Sequence, residues 1–205
     1  ISIILITVNL TGPVYGSIGE SLRHASFQVS SVITTTGYST YDFNLWPTFS
    51  KAILVLLMFI GASAGSTGGG IKCIRVLVLL KTVRREMKKV LHPRSVNTVQ
   101  VSGRNLDDGV MSGVTSYFYA FFLVFVVSIL LISLDGKDLI TTFTSVVATI
   151  SNIGPGLGSV GPMGNFAEFS DFSKFVLSFT MLFGRLEIFP MMLLFTPSFW
   201  RRANI

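Results

Sequence analysis

Thr34-Thr35-Thr36-Gly37-Tyr38 is the stretch on which the fold turns. It stands between a short helical pattern and a long apolar one, where a membrane chain has little reason to gather hydroxyls. Consecutive carbonyls and hydroxyls closed by a glycine can replace the water around a dehydrated cation. A second stretch of this kind, Ser151-Asn152-Ile153-Gly154-Pro155, lies further along in a similar setting. With the glycines superposed, Ser31-Val32-Ile33-Thr34-Thr35-Thr36-Gly37-Tyr38 lies over Ala148-Thr149-Ile150-Ser151-Asn152-Ile153-Gly154-Pro155. Identity is low, and the match lies in element order and loop chemistry.

The elements around the two stretches repeat as well. Residues 1–10 are apolar but too short to span a bilayer, and Thr11-Gly12-Pro13 ends them. They read as the last turns of a helix that starts upstream, so the chain is expected to be the C-terminal part of a longer protein. Ser17 and Glu20 have capping-box spacing and predict a short helix over about 18–33. That helix carries Arg23, His24 and Gln28, and is too polar to face lipid. Trp46-Pro47 then opens an apolar segment, 52–80, interrupted by Gly61-Ala62-Ser63-Ala64-Gly65-Ser66-Thr67-Gly68-Gly69-Gly70. A second membrane segment is expected at about 114–134, followed by the turn Asp135-Gly136-Lys137-Asp138 and a short helix at about 139–150. The second loop and Gly- and Pro-rich sequence lead to a last apolar segment, about 172–195, before Trp200-Arg201-Arg202. Spanning helix, short helix, loop and spanning helix thus occur twice, the mark of internal repetition.

Composition agrees. Half of the 205 residues are hydrophobic, 13% are charged, and the mean hydropathy is +0.66. Apolar runs of roughly 20 residues cross a bilayer, so a polytopic membrane protein is expected. Residues 120–134 are apolar on every side, unlike the striped helices of a soluble α-protein. Cys73 is the only cysteine, which excludes a disulfide framework or a thiolate metal cluster. No nucleophile–base pair or metal-ligand set stands near a loop, so nothing supports an enzyme.

Lys72, Arg75, Lys81, Arg84, Arg85, Lys88, Lys89, Arg94 and Arg104 face one acid, Glu86, in residues 72–104. Cytoplasmic loops collect Lys and Arg, which places this stretch and Arg201-Arg202 inside. Asp42, Asp135, Asp138, Glu168 and Asp171 then lie outside, diluted by Lys51, Lys137 and Lys174. An acidic mouth concentrates cations, but the same acids also suit ordinary solvated loops. The net charge of +6 comes from the basic loop, which lacks the interleaved aromatics of a nucleic-acid surface.

Non-helical backbone at membrane depth is tolerated where it is buried in protein or lines water. Short re-entrant helices supply such loops, and their C-terminal ends carry partial negative charge towards a cation. Gly37 and Gly154 can take backbone angles that let successive carbonyls point one way. Thr35, Thr36 and Asn152 are expected to add side-chain oxygens. Taken singly, the first stretch also suits a helix C-terminus in a surface loop, and the second a Gly/Pro turn. Their corresponding positions favour the ion-binding reading. Two loops supply only half a coordination shell.

The glycine-rich interruption divides an apolar segment longer than a span needs. It suits a flexible loop obstructing a pore below the two stretches, or close helix packing through small residues. A nucleotide-binding P-loop fails on spacing, because Ile71-Lys72-Cys73 follows Gly70. Arg185 and Glu187 lie inside the last apolar segment, where ionisable residues face a cavity or a partner. Their i,i+2 spacing gives them different partners. Arg185 can hold either loop by donating to carbonyls.

Five motifs together carry a resemblance: Thr34-Thr35-Thr36-Gly37-Tyr38, Gly65-Ser66-Thr67-Gly68-Gly69-Gly70, Leu91-His92-Pro93-Arg94, Asn152-Ile153-Gly154-Pro155-Gly156 and Phe183-Gly184-Arg185-Leu186-Glu187-Ile188. In this order they resemble the Trk/Ktr/HKT superfamily of potassium transporters, and within it the bacterial TrkH/TrkG uptake subunits. The resemblance implies an all-α polytopic membrane protein of helix–pore-loop–helix repeats with re-entrant pore helices. The third repeat would be 1–90, a basic cytoplasmic linker 91–112, and the fourth repeat 113–205. It implies K⁺ held at filter positions Thr35, Thr36, Gly37, Tyr38, Asn152, Ile153, Gly154 and Pro155. The gate would be Gly65, Ser66, Thr67, Gly68, Gly69 and Gly70 with Arg185. It further implies a bacterial inner-membrane location, a homodimer among membrane lipid, and a cytoplasmic nucleotide-binding regulatory subunit of the TrkA/KtrA kind near residues 72–104. No organic cofactor and no nucleic-acid partner are expected. The competing expectation is a non-conducting membrane fragment that acts in assembly or binding.

Overall fold

The computed structural model describes residues 1–66, 68–92, 98–101, 103–186 and 188–194. Thr67, Pro93, Arg94, Glu187 and the terminal Arg201-Arg202 lie outside the described residues. The chain is mostly helical: α1 Ser2–Leu10, α2 Ile18–Ile33, α3 Thr48–Ile60, α4 Cys73–Leu91, α5 Asp108–Ile132, α6 Leu139–Ile150, α7 Asp171–Arg185 and α8 Ile188–Leu194. A hairpin of two-residue strands, β1 Gln100–Val101 and β2 Arg104–Asn105, stands between α4 and α5.

Local chemistry explains where the short helices begin. The Ser17 hydroxyl accepts from the Glu20 amide at 3.2 Å, as the capping-box spacing predicts. The Asp138 carboxylate accepts from the Thr141 amide at 3.0 Å, and the Ser170 hydroxyl from the Ser173 amide at 3.2 Å. Each cap satisfies one of the amides a helix start leaves open, worth about 1 kcal/mol.

Helix α5 is the only helix among the described residues long and apolar enough to cross a membrane. One side buries Tyr117, Phe121, Phe125 and Ile132, while Phe122, Leu123, Val127 and Leu130 are exposed. Apolar side chains on both faces suit a helix with protein on one side and lipid on the other. Between α5 and α7 the Ser128 and Thr180 hydroxyls meet at 3.0 Å, a buried interhelical hydrogen bond. Helix α6 is the most enclosed element, with nearly its whole length buried between α5, α7 and α3.

Several boundaries differ from expectation. Helix α5 begins at Asp108 rather than near 114, and the Arg85 guanidinium of α4 meets the Asp108 carboxylate at 2.9 Å. Within the basic region, Lys81 donates to the Gln100 carbonyl at 2.6 Å and so fastens the hairpin to α4. The last apolar segment is not one continuous helix, since α7 ends at Arg185 and α8 starts at Ile188.

Candidate functional site

The two loops have the same backbone. Helix α2 ends at Ile33 and α6 at Ile150, and three hydrogen bonds beyond each correspond. The Thr34, Thr35 and Thr36 amides donate to Ser30, Val32 and Ser31 at 3.0, 3.1 and 2.9 Å. The Ser151, Asn152 and Ile153 amides donate to Val147, Thr149 and Ala148 at 3.0, 3.0 and 2.9 Å. Left-handed residues also fall at matching places: Thr35 at φ 56° with Asn152 at 54°, and Gly37 at 79° with Gly154 at 106°. The six-to-one bond from Thr36 and from Ile153 closes each helix in a Schellman-type turn, normally built on glycine. Asn tolerates that conformation, whereas a β-branched threonine there is an outlier. Strain of this kind clusters at functional sites. Both helix C-termini, with their partial negative charge, thus end at the loops.

The loops also touch. Gly37 lies so close to the Ile153 carbonyl that a Cβ there would overlap it and stand 3.2 Å from Pro155 Cδ. Polar residues buried on α2 hold the first loop from behind. The Ser31 hydroxyl donates to the Tyr38 carbonyl at 2.6 Å, and the Gln28 amide to the Ser39 hydroxyl at 2.6 Å. That is the purpose of the polarity that kept this helix from lipid. Behind the second loop, the Thr144 hydroxyl accepts from the Leu157 amide at 2.9 Å, and Thr141 from the Ser159 amide at 3.1 Å.

Not every expected site group faces the same way. The Tyr38 carbonyl is occupied by Ser31 and its ring is exposed. Thr36 shares its hydroxyl with Thr34 at 2.8 Å, and Thr34 donates to the Ser30 carbonyl. The Asn152 amide nitrogen donates to the Met181 carbonyl of α7 at 3.1 Å. The Asn152 side chain thus braces α7 through its nitrogen, beside the side-chain oxygen expected to serve an ion. Thr35 Oγ1 lies against Gly68. Sequence had no signal for either contact, because Gly68 and Met181 lie far along the chain from Thr35 and Asn152.

The glycine-rich segment sits directly against these loops. A Cβ on Gly68 would stand 2.8 Å from Thr35 Oγ1, and one on Gly69 would overlap the Ser151 carbonyl. Gly70 lies next to the Ser151 hydroxyl, at 3.5 Å from such a Cβ. The segment is pinned at its base. The Ile71 amide donates to the Phe59 carbonyl at 3.2 Å, and the Cys73 amide to the Ala62 carbonyl at 3.1 Å. It is a compact loop with close ends rather than a helix kink. Gly65 has open space around it, and residues 63–65 are exposed. Arg185 is exposed at the last turn of α7, beside Gly184, where an added Cβ would overlap the Ile150 carbonyl.

On the side opposite the basic loop, the acids have local tasks. Asp42 accepts from the Asn44 amide at 3.0 Å, Asp135 from the Ser170 hydroxyl at 2.6 Å, and Glu168 pairs with Lys137 at 2.9 Å. Hydrogen bonds from Thr141 hold the Asp138 carboxyl below the usual carboxylate range. Asn44, which the sequence did not single out, joins the two halves. Its carboxamide donates to the Gly158 carbonyl at 3.2 Å and accepts from the Gly158 amide at 3.0 Å. No group of His, Cys, Asp and Glu suited to a metal ion occurs among the described residues.

Comparison with known proteins follows this geometry. Residues 3–202 match the family described as "TrkH: Cation transport protein". The chain is 45% identical over 188 residues to the Trk system potassium uptake protein TrkH of Escherichia coli (strain K12), and equally to that of Salmonella typhimurium. In both cases 92% of this chain is covered. It is 39% identical to the E. coli potassium uptake protein TrkG over 88% of its length. The chain spans 38% of the length of the TrkH relatives and 37% of TrkG. The crystal structure of the potassium transporter TrkH from Vibrio parahaemolyticus superposes with a TM-score of 0.88 at 42% identity, over 97% of this chain and 42% of that one.

Proposed function

Because the chain belongs to the TrkH family of cation transport proteins, we propose that it supplies two ion-coordinating loops of a potassium uptake pathway across the bacterial inner membrane. The family consists of transporters rather than enzymes, and the chain is a membrane protein. The observation that carries the proposal is the shared backbone of residues 34–37 and 151–154, with left-handed residues and capping bonds in one register. The match goes beyond a common helix-capping turn, because a second left-handed residue, Gly37 and Gly154, follows two positions later in both loops.

In this reading the carbonyls near Thr35, Thr36, Gly37, Asn152, Ile153 and Gly154 replace the hydration shell of K⁺. The site binds the ion through backbone oxygen, and the strained left-handed residues aim those oxygens. Two further loops of the same kind complete the ring in the whole transporter. Residues 61–70 lie in the path beneath the loops and act as the gate, with Arg185 holding the gate or loops by donating to carbonyls. The repeats are 1–90 and 113–205. The basic stretch around α4 offers the contact for a cytoplasmic nucleotide-binding subunit, and the transporter works as a homodimer.

The test is growth of potassium-uptake-deficient bacteria at low K⁺ with the full-length protein. Rescue by the wild type that is lost when Thr36 or Gly37 is replaced by Phe supports the assignment. Rescue that persists in both variants overturns it.

A further inference from the structure

The Asn152 side chain stands where three elements converge, and the proposed coordination by backbone oxygen does not use it. Its backbone belongs to the second loop and is left-handed at φ 54°. Its amide nitrogen donates to the Met181 carbonyl in the last turn of α7. Two glycines from different elements close around the same nitrogen: Cβ atoms on Gly69 and Gly184 would stand 3.1 and 3.0 Å from it. Gly69 belongs to the glycine-rich loop, and Gly184 precedes Arg185.

Each contact requires the others. A side chain on Gly69 would overlap the Ser151 carbonyl, and one on Gly184 the Ile150 carbonyl. The loop, the glycine-rich segment and α7 therefore approach one another through bare backbone, and the carboxamide fills the gap they leave. Helix α7 stops four residues beyond Met181. Met181 precedes the last four carbonyls, which a helix leaves without intrahelical donors, so the carboxamide is an added donor that ties the loop to α7. The corresponding residue of the first loop, Thr35, touches Gly68 but is too short to reach a helix end.

We infer that the Asn152 carboxamide is a joint holding the second loop, the glycine-rich loop and the Arg185 turn in register, so that it sets gate position and not ion selectivity. It is a positioning residue. The inference rests on the proposed pathway. The joint keeps Gly68–Gly70 seated beneath the loops. Without it the seated state loses about one net hydrogen bond, equivalent to roughly a fivefold change in the seated-to-open ratio.

Asn152→Gly separates the side chain from its backbone, because glycine keeps the left-handed conformation and removes the carboxamide. Asn152→Asp is the second variant: it tolerates the same backbone and lacks the N–H donor. Full-length wild type and variants are reconstituted in lipid vesicles without any cytoplasmic subunit, and Rb⁺ and Na⁺ fluxes are measured with amide hydrogen exchange. The expected result is a Rb⁺ flux about fivefold above wild type, an unchanged Rb⁺/Na⁺ ratio, and faster exchange in residues 61–70 and 181–186. Unchanged flux with unchanged exchange overturns the inference, as does a collapse of the Rb⁺/Na⁺ ratio, which would make the side chain an ion ligand. Wild-type vesicles that pass no Rb⁺ would refute the proposed pathway instead, and the exchange comparison would still decide whether the joint exists.

Discussion

Gly37→Ala probes the contact between the loops. At φ 79° an L-residue costs about 1–2 kcal/mol more than glycine. The added methyl would also overlap the Ile153 carbonyl oxygen and stand 3.1 Å from its carbon and 3.2 Å from Pro155 Cδ. None of these atoms can rotate away, so the second loop must shift, and overpacking of this kind costs about 1–3 kcal/mol. The sum is about 2–5 kcal/mol. Gly12→Ala is the matched control: its φ is 98° with nothing within 4 Å, so it carries the backbone cost alone. The assay is thermal unfolding of the purified full-length protein together with K⁺ uptake in cells. Gly37→Ala is expected to melt well below Gly12→Ala and to lose uptake, while Gly12→Ala retains it. Equal melting and equal uptake of the two variants would refute the reasoning, since the loops would then not be in contact.

Asn44→Ala removes both hydrogen bonds to Gly158 and is expected to lower stability by about 1–3 kcal/mol, measured by thermal unfolding. A double-mutant cycle of Ser128→Ala and Thr180→Ala should give a coupling of about 0.6 kcal/mol, the typical interhelical value in membranes. Asp138 has a depressed folded value, so its stabilisation is complete above the unfolded value of about 3.9 and is lost as pH falls through the folded value. Asp138→Asn keeps the cap and removes the titration; the wild type should melt above the variant at neutral pH, and the gap should narrow below about pH 4.

Element order was legible because it rests on local signals. Ser17 and Glu20 marked the start of α2, the apolar runs marked α3 and α5, and glycine spacing aligned the two loops before any backbone angle was known. What escaped depends on distance or on brevity. Asn44 and Gly158 are 114 residues apart in sequence, and nothing near either announces the pair. Strands of two residues leave no period to detect, so the hairpin at 100–105 was invisible. The α7–α8 break was signalled by Pro190, which can give no hydrogen bond to the Leu186 carbonyl, but the apolar run hid it. Asn152 was noticed for its oxygen, but the bond from its nitrogen to Met181, 29 residues away, left no local signal. The loop acids, equally suited to a cation mouth or to caps and pairs, are engaged locally here.

The central claim is that carbonyls of both loops hold the transported ion. Anomalous diffraction from crystals of the full-length transporter grown in Rb⁺ tests it directly. The account predicts a peak within about 3 Å of carbonyl oxygens from both residues 35–37 and residues 152–154. A peak that touches neither loop, with these carbonyls bound only to protein, would contradict it.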